Sequence, residues 1–193
     1  QAEFAGGNEA LAEGRAEDAV AHYRKALAGA PDVVEIHHNL TAALAQLQRL
    51  DDAAESARQG LARRPDYAPL HVALANLLRE PGQGDAIETA RQHYEKALQH
   101  DPGLASAWSG MGGLLMAEGS YQSALENYRK ALLLNPKSTV CMNNMAICQL
   151  NLGRHHEALA LYRDLVVLNP DMGPLHNNLG QVLQGLGRHD EAV

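Results

Sequence analysis

Apolar positions along the chain recur at the 3.6-residue spacing of amphipathic helices, and glycines and prolines punctuate them at regular places. In ASAWSGMGGLLMA, residues 105–117, Trp108, Met111, Gly112 and Leu115 fall on one helical face. Such runs close on a glycine at Gly14, Gly119, Gly153 and Gly187, the residue that suits the left-handed backbone of a helix C-cap. A second helical run follows each and ends before a proline, at Pro31, Pro65, Pro102, Pro136 and Pro170. The intervals between these prolines are 34, 37, 34 and 34 residues. The predicted unit is therefore a helix, a tight turn, a second helix and a short link.

Fixed columns run through these units. Ala19, Ala53, Ala90, Ala124 and Ala158 stand twelve residues before each proline, and Ala192 continues the series. Eight before stand Tyr23, Ala57, Tyr94, Tyr128 and Tyr162; five before stand Ala26, Gly60, Ala97, Ala131 and Leu165. The small residues mark places where two helices approach closely, and the tyrosines one turn on fill the space beside them. One helix pair cannot bury its own apolar face, so neighbouring pairs are expected to stack into an all-α solenoid.

The stretch Trp108–Pro136, WSGMGGLLMAEGSYQSALENYRKALLLNP, resembles the tetratricopeptide repeat (TPR) in Trp108, Gly112, Leu115, Tyr121, Ala124, Tyr128, Ala131 and Pro136. The resemblance extends over essentially the whole sequence, with repeats at about 1–33, 34–67, 68–104, 105–138, 139–172 and a partial repeat at 173–193. It implies a right-handed α-α superhelix serving as a protein-interaction scaffold. Three departures stand out. The third repeat has three extra residues, placed in the turn PGQGD at 81–85. Gln48 replaces the turn glycine of the second repeat. Glu3 stands in the Trp108 column, so the first helix is expected to be loosely held. Leu179, Val182, Leu183 and Leu186 are expected to lack cover, as in a fragment of a longer protein.

Asparagine is a mediocre helix former, yet pairs occur mid-helix in MNNMAICQLNLG (142–153) and HNNLGQVLQGLG (176–187). The i, i+4, i+7, i+11 stripe opposite the packed face explains them. It reads Val140, Asn144, Ile147 and Asn151 in the fifth repeat, with Asn143 beside it. In the sixth it reads Pro174, Asn178, Gln181 and Gly185, with Asn177 beside it. In the second it is Glu35, Asn39, Ala42 and Gln46, and in the third Pro69, Ala73, Asn76 and Glu80. The fourth is nearly bare, with Ser106, Gly110, Gly113 and Ala117. These stripes are expected to line a concave groove. An amide there can pair with an N–H and a C=O of an extended peptide, at about 0.5–1.5 kcal/mol net per bond.

The candidate groove is thus Asn39, Gln46, Asn76, Asn143, Asn144, Ile147, Asn151, Asn177, Asn178 and Gln181. The column Asn39, Asn144, Asn178 resembles the asparagine ladder in the TPR region of O-linked N-acetylglucosamine transferase-like proteins, although Ala73 and Gly110 interrupt it. That resemblance implies, as a second reading, a substrate-targeting arm of a larger enzyme. The carboxylate clamp of chaperone-binding TPRs is matched at Asn8 and Asn39, but Phe4, Pro69 and Ala73 stand where its basic residues belong. A third reading is self-association through the uncapped C-terminal repeat.

Composition narrows the partners. The net charge of −7 and scattered basic residues argue against nucleic acid, and no apolar run is long enough for a membrane span. The first residues, QAEFAGGNEA, lack the basic start and apolar core of a signal peptide, and the compartment stays open. A protein or peptide partner is the expectation. Ten histidines raise the question of metal, but His37, His71 and His176 share the Trp108 column, and His155 and His189 the Tyr121 column. They are read as ring replacements in packing, so neither metal nor cofactor is expected. Cys141 and Cys148 lie ~10.5 Å apart along one helix, too far for a disulfide. No catalytic motif is present, and Asp51, Asp52, Asp190 and Glu191 fit helix starts, where negative charge complements the helix dipole.

Overall fold

The computed structural model describes residues 2–79 and 84–191. It is all-α and of the solenoid type, with no strand among the described residues. Sequence order gives α1 (Ala2–Ala12), α2 (Ala16–Gly29), α3 (Val34–Gln46), α4 (Leu50–Arg63), α5 (Ala68–Leu78) and α6 (Gly84–His100). There follow α7 (Ala105–Ala117), α8 (Tyr121–Leu134), α9 (Thr139–Asn151), α10 (His155–Leu168), α11 (Gly173–Gly185) and a 3-10 turn at His189–Glu191. The lengthened turn expected at 81–85 falls mainly on residues 80–83, outside the described residues, as do Glu80 and Ala192.

The helices form two compact units, Gln1–Leu104 and Ala105–Val193. Within each, consecutive helices pack on one another. In the first unit α1 touches α3 and α3 touches α5; in the second α7 touches α9. Among the described residues the second helices of successive repeats make no such contact. First helices that touch at α1–α3, α3–α5 and α7–α9, while second helices splay apart, put the first helices on the inner wall; among the described residues α9 and α11 make no such contact.

The small-residue columns carry the packing. Ala19, Ala53, Ala90, Ala124 and Ala158 are all fully buried, and so are the rings of Tyr23, Tyr94, Tyr128 and Tyr162 beside them. A Cβ at Gly112 would stand 2.9 Å from the Tyr128 ring, and one at Gly60 only 2.4 Å from Leu70. These contacts are tighter than real Cβ atoms tolerate, so the glycines are required by the approach of the helices.

Four turn glycines adopt φ between 72° and 77°, as the C-cap requires. Gln48 takes the same left-handed conformation with φ 59°, so the second repeat keeps the turn at the expense of strain at a side-chain-bearing residue. The first helix is better tethered than Glu3 suggested: its carboxylate meets His22 Nδ1 at 2.7 Å, and Phe4 lies against Tyr23 with ring centroids 6.0 Å apart. The expected lack of cover on α11 is partial. Val182 and Leu183 are buried in a cluster with Tyr162 and Leu175, while Leu179 and Leu186 pack against its edge half-exposed.

The acidic residues at second-helix starts have partners beyond the helix dipole. Asp52 meets Arg49 at 2.6 Å and Glu191 meets Arg188 at 2.6 Å, pairs in which the basic residue precedes the helix. All four side chains are substantially exposed, so these contacts contribute little.

Gln48→Gly is expected to stabilise the protein by about 1 kcal/mol, by relieving left-handed strain. Gly112→Ala is expected to destabilise it by about 1–3 kcal/mol through overpacking against Tyr128. Denaturant midpoints followed by circular dichroism check both.

Candidate peptide-binding walls

The inner-wall stripes sit on the first helices, α3 and α5 in the first unit and α9 and α11 in the second. Gln46, Asn76, Asn151, Asn177 and Gln181 are exposed; Asn39, Asn143, Asn144, Ile147 and Asn178 are half-buried.

The amides are not equivalent, however. In the first unit Tyr23 Oη donates to Asn8 Oδ1 at 2.8 Å, and Asn39 Nδ2 donates to the same oxygen at 2.8 Å. Burial raises the Tyr23 pKa, and the Asn39 amide opposes that rise. Tyr94 Oη likewise donates to Asn76 Oδ1. Burial raises the Tyr94 pKa, and the positive charge of Arg79 opposes it. The tyrosine ring is a core element, and its hydroxyl emerges at the wall, where an amide oxygen satisfies it.

In the second unit Asn151 Nδ2 turns back to the carbonyl of Ile147, one turn earlier, at 2.9 Å. That bond takes up one of the two Asn151 N–H protons. Asn143 Oδ1 is buried and has no hydrogen-bond partner. Asn144, Asn177 and Asn178 have no internal hydrogen bond among the described residues. Asn8 is the residue that sequence reasoning left out of the site. Its signal was available, because Asn8 and Asn76 occupy the same repeat column once the three extra residues of the third repeat are allowed for.

The histidines of the Trp108 column do more than fill space. Nε2 of His37, His71 and His176 lies 3.2, 2.8 and 2.8 Å from the carbonyls of Pro31, Pro65 and Pro170 respectively. A carbonyl only accepts, so Nε2 carries the proton and each ring ties its repeat to the proline near the end of the one before. For His71 that leaves Nδ1 as an acceptor, and it lies 2.8 Å from Nδ1 of His93, which must donate. Among the described residues no three His, Cys, Asp or Glu side chains converge. His93 therefore stays neutral: desolvation first, then the charges of His71, Lys96 and Arg58, push its pKa down to about 4.

Both cysteines are free and buried. Cys141 Sγ lies 3.3 Å from Ser109 Oγ, and burial pushes the Cys148 thiol up to about 11, which keeps it protonated and inert.

Between the ordinary histidine value and about 4, the unfolded protein holds a proton at His93 that the folded protein does not. Stability from the neutral ring is thus full above about pH 6.5 and lost as pH falls toward 4. Melting temperature is expected to drop over that interval, with a shallower slope in His93→Asn; thermal melts across pH check this.

Comparison with known proteins agrees with the architecture. Profiles of the tetratricopeptide repeat match residues 10–77, 103–166 and 144–193. An Hsp70-Hsp90 organizing protein of Triticum aestivum is 38% identical over 96 residues, which are 50% of this chain and 16% of that protein. The chain therefore spans only a small part of that relative. Among solved structures, PilW, a widely conserved type IV pilus biogenesis factor, superimposes with TM-score 0.86 at 18% identity, covering 98% of this chain and 87% of its own. YrrB, a TPR protein with an unusual peptide-binding site, gives TM-score 0.66 at 19% identity, covering 89% and 87%. These structural likenesses speak to fold. Repeats of this kind generally act as protein-interaction scaffolds. The columns, the paired helices and the matching profiles together make this chain a member of the tetratricopeptide repeat family.

Proposed function

We propose that the protein is a non-catalytic scaffold that holds an extended segment of a partner protein along the inner walls of its helix stacks. One observation carries the reading. Half-exposed Asn144 and Asn178 stand at the same repeat position on the inner wall of the second unit, without an internal hydrogen bond among the described residues. Each costs about half a kcal/mol or more of helix propensity relative to alanine. An amide left open at that cost, twice at one position, suits a ligand that supplies its donors and acceptors.

The neighbouring side chains fit the same use. Ile147 is half-buried on α9 three residues beyond Asn144, and offers apolar contact beside that polar rung. An extended peptide has a C=O and an N–H free in each residue, and a side-chain amide can meet both. Recognition of this kind reads the backbone more than the side chains. The peptide-binding site of YrrB, a TPR protein of like fold, supports the reading by analogy.

The triple substitution Asn39→Ala, Asn144→Ala and Asn178→Ala tests it. A displayed random-peptide library selected on the wild type is expected to yield binders that the triple variant retains at least tenfold less well. Far-ultraviolet circular dichroism is expected to be unchanged. Equal retention of every selected peptide rejects the groove.

A further inference from the structure

Between the second helices α4 and α6 of the first unit lies an open crevice of about 660 Å3, floored by His71 and Leu74 of α5. Its size is ordinary for a small-ligand site. Arg58 enters it from α4, and His93, Lys96, Gln99 and His100 from α6. No carboxylate lines it among the described residues, in a chain of net charge −7. Lys96 is exposed and has no ion pair among the described residues. Arg58 has Glu55, three residues back on its own helix, at 3.8 Å with both side chains exposed.

The crevice one repeat earlier, between α2 and α4, is charged differently. Counted from the closing proline, Arg24 holds the place of Arg58, and Asp52, Glu55, Ser56 and Gln59 hold those of Thr89, Gln92, His93 and Lys96. Arg24 is met by Asp52 at 3.7 Å. On α10 the same places carry Glu157, Ala160, Leu161 and Asp164, again with two acids. The third repeat has neither acid and has two bases instead. Packing does not ask for this, because Lys96 is exposed, and like charges gathered without a counter-ion repel. The arrangement suits a ligand that brings the negative charge.

The histidines narrow its chemistry. His71 donates Nε2–H to the Pro65 carbonyl and accepts at Nδ1 from His93 Nδ1. Neutral His93 therefore presents Nε2, on the other side of its half-buried ring, as a bare acceptor without an internal partner among the described residues. A metal ion at that lone pair would be repelled by Arg58 and Lys96. An anion suits the two cations, but an anion that only accepts meets the lone pair. A phosphate monoester answers both, because its second proton leaves near pH 6 and its remaining oxygens accept from the cations.

We propose that this crevice binds a phosphate monoester, with its oxygens on Arg58 and Lys96, its proton shared with His93 Nε2, and its organic part against Leu61, Leu74 and the stacked rings of His71 and His100. The protons balance by either route. The monoanion passes its hydroxyl proton toward Nε2, or the dianion binds as His93 takes one from solvent, and the complex is the same. The site is independent of the peptide walls on the first helices.

Histidine ring resonances of 15N-labelled protein, titrated with phenyl phosphate and with phenyl sulfate, test it. Phenyl phosphate is expected to shift His71, His93 and His100 and to raise the His93 pKa from about 4 to above about 6. Binding then takes up a proton, so affinity should rise at least twofold as pH falls from about 7.5 to about 6. At about pH 6.5, where the sulfate carries no proton, the phosphate should bind at least fivefold tighter. His93→Asn should shrink both that preference and the pH slope. Lys96→Gln and Arg58→Gln should each weaken binding at least fivefold with unchanged melting curves, and Gln92→Glu, which restores the acid of the Glu55 column, should weaken it too. A blocked tetrapeptide bearing phosphoserine separates the sources: binding tighter than phenyl phosphate assigns the site to a modified partner segment, and weaker binding to a free small molecule. Equal binding of phosphate and sulfate, unchanged affinity in the Lys96 and Arg58 variants, or no response of the crevice histidines at millimolar ligand would each overturn the proposal and leave the groove reading untouched.

Discussion

Everything in these units follows from a tyrosine ring held where two helices almost touch. Tyr23, Tyr94, Tyr128 and Tyr162 lie fully buried beside alanines that leave no room for a larger side chain. Gly112 and Gly7 let the rings of Tyr128 and Tyr23 lie directly over the first helix of their repeats. A ring in that position gains the burial of a large apolar surface but brings a hydroxyl with it. The hydroxyl is costly to leave unpaired, and those of Tyr23 and Tyr94 reach the inner wall and take an amide oxygen there. Packing at the centre of a repeat and hydrogen bonding at its surface are therefore one constraint.

A second tie works along the stack. The proline that closes each repeat has a carbonyl with no helix to take it up, and the ring of the following first helix donates to it in three repeats, through His37, His71 and His176. An imidazole serves because it has one N–H on a flat apolar body, as an indole does. That bond places a proton on Nε2, which leaves the second nitrogen to be settled locally. His71 meets His93, whereas His37 Nδ1 is buried without a partner. The repeat thus tolerates an unmet acceptor more readily than the loss of the tie.

The fold was almost entirely legible in the sequence because its constraints are local and periodic. Ala19 or Gly112 can be read as a close approach from position alone, since only a small residue fits and the interval repeats. Gln48 was legible as a departure, and its φ of 59° shows that the turn is imposed by the packed helices on either side rather than by the residue within it. The candidate walls were legible only as a stripe. Sequence spacing places Asn39 and Asn151 on the inner face, but cannot say that one amide is tied to Asn8 and the other to the carbonyl of Ile147. Hydrogen-bond direction depends on a few tenths of an ångström between side chains from different helices, and no periodicity encodes that.

The two units consequently differ in how firmly their polar walls are set. At the position of Asn8 and Asn76, the fourth repeat has Gly113 and the fifth Ile147. Tyr128 accordingly reaches past the bare glycine toward Met116 Sδ at 4.0 Å, a weak acceptor. With no tyrosine hydroxyl bonded to it, an amide such as Asn144 can rotate about its last torsion and offer either end, which a ligand must then order at an entropic cost. Amides tied to Tyr23 and Tyr94 bear that cost at folding and meet a ligand already aimed. The same stripe of asparagines is thus a fixed pattern in the first unit and an adaptable one in the second, and the difference traces to whether the core tyrosine finds its acceptor on the wall.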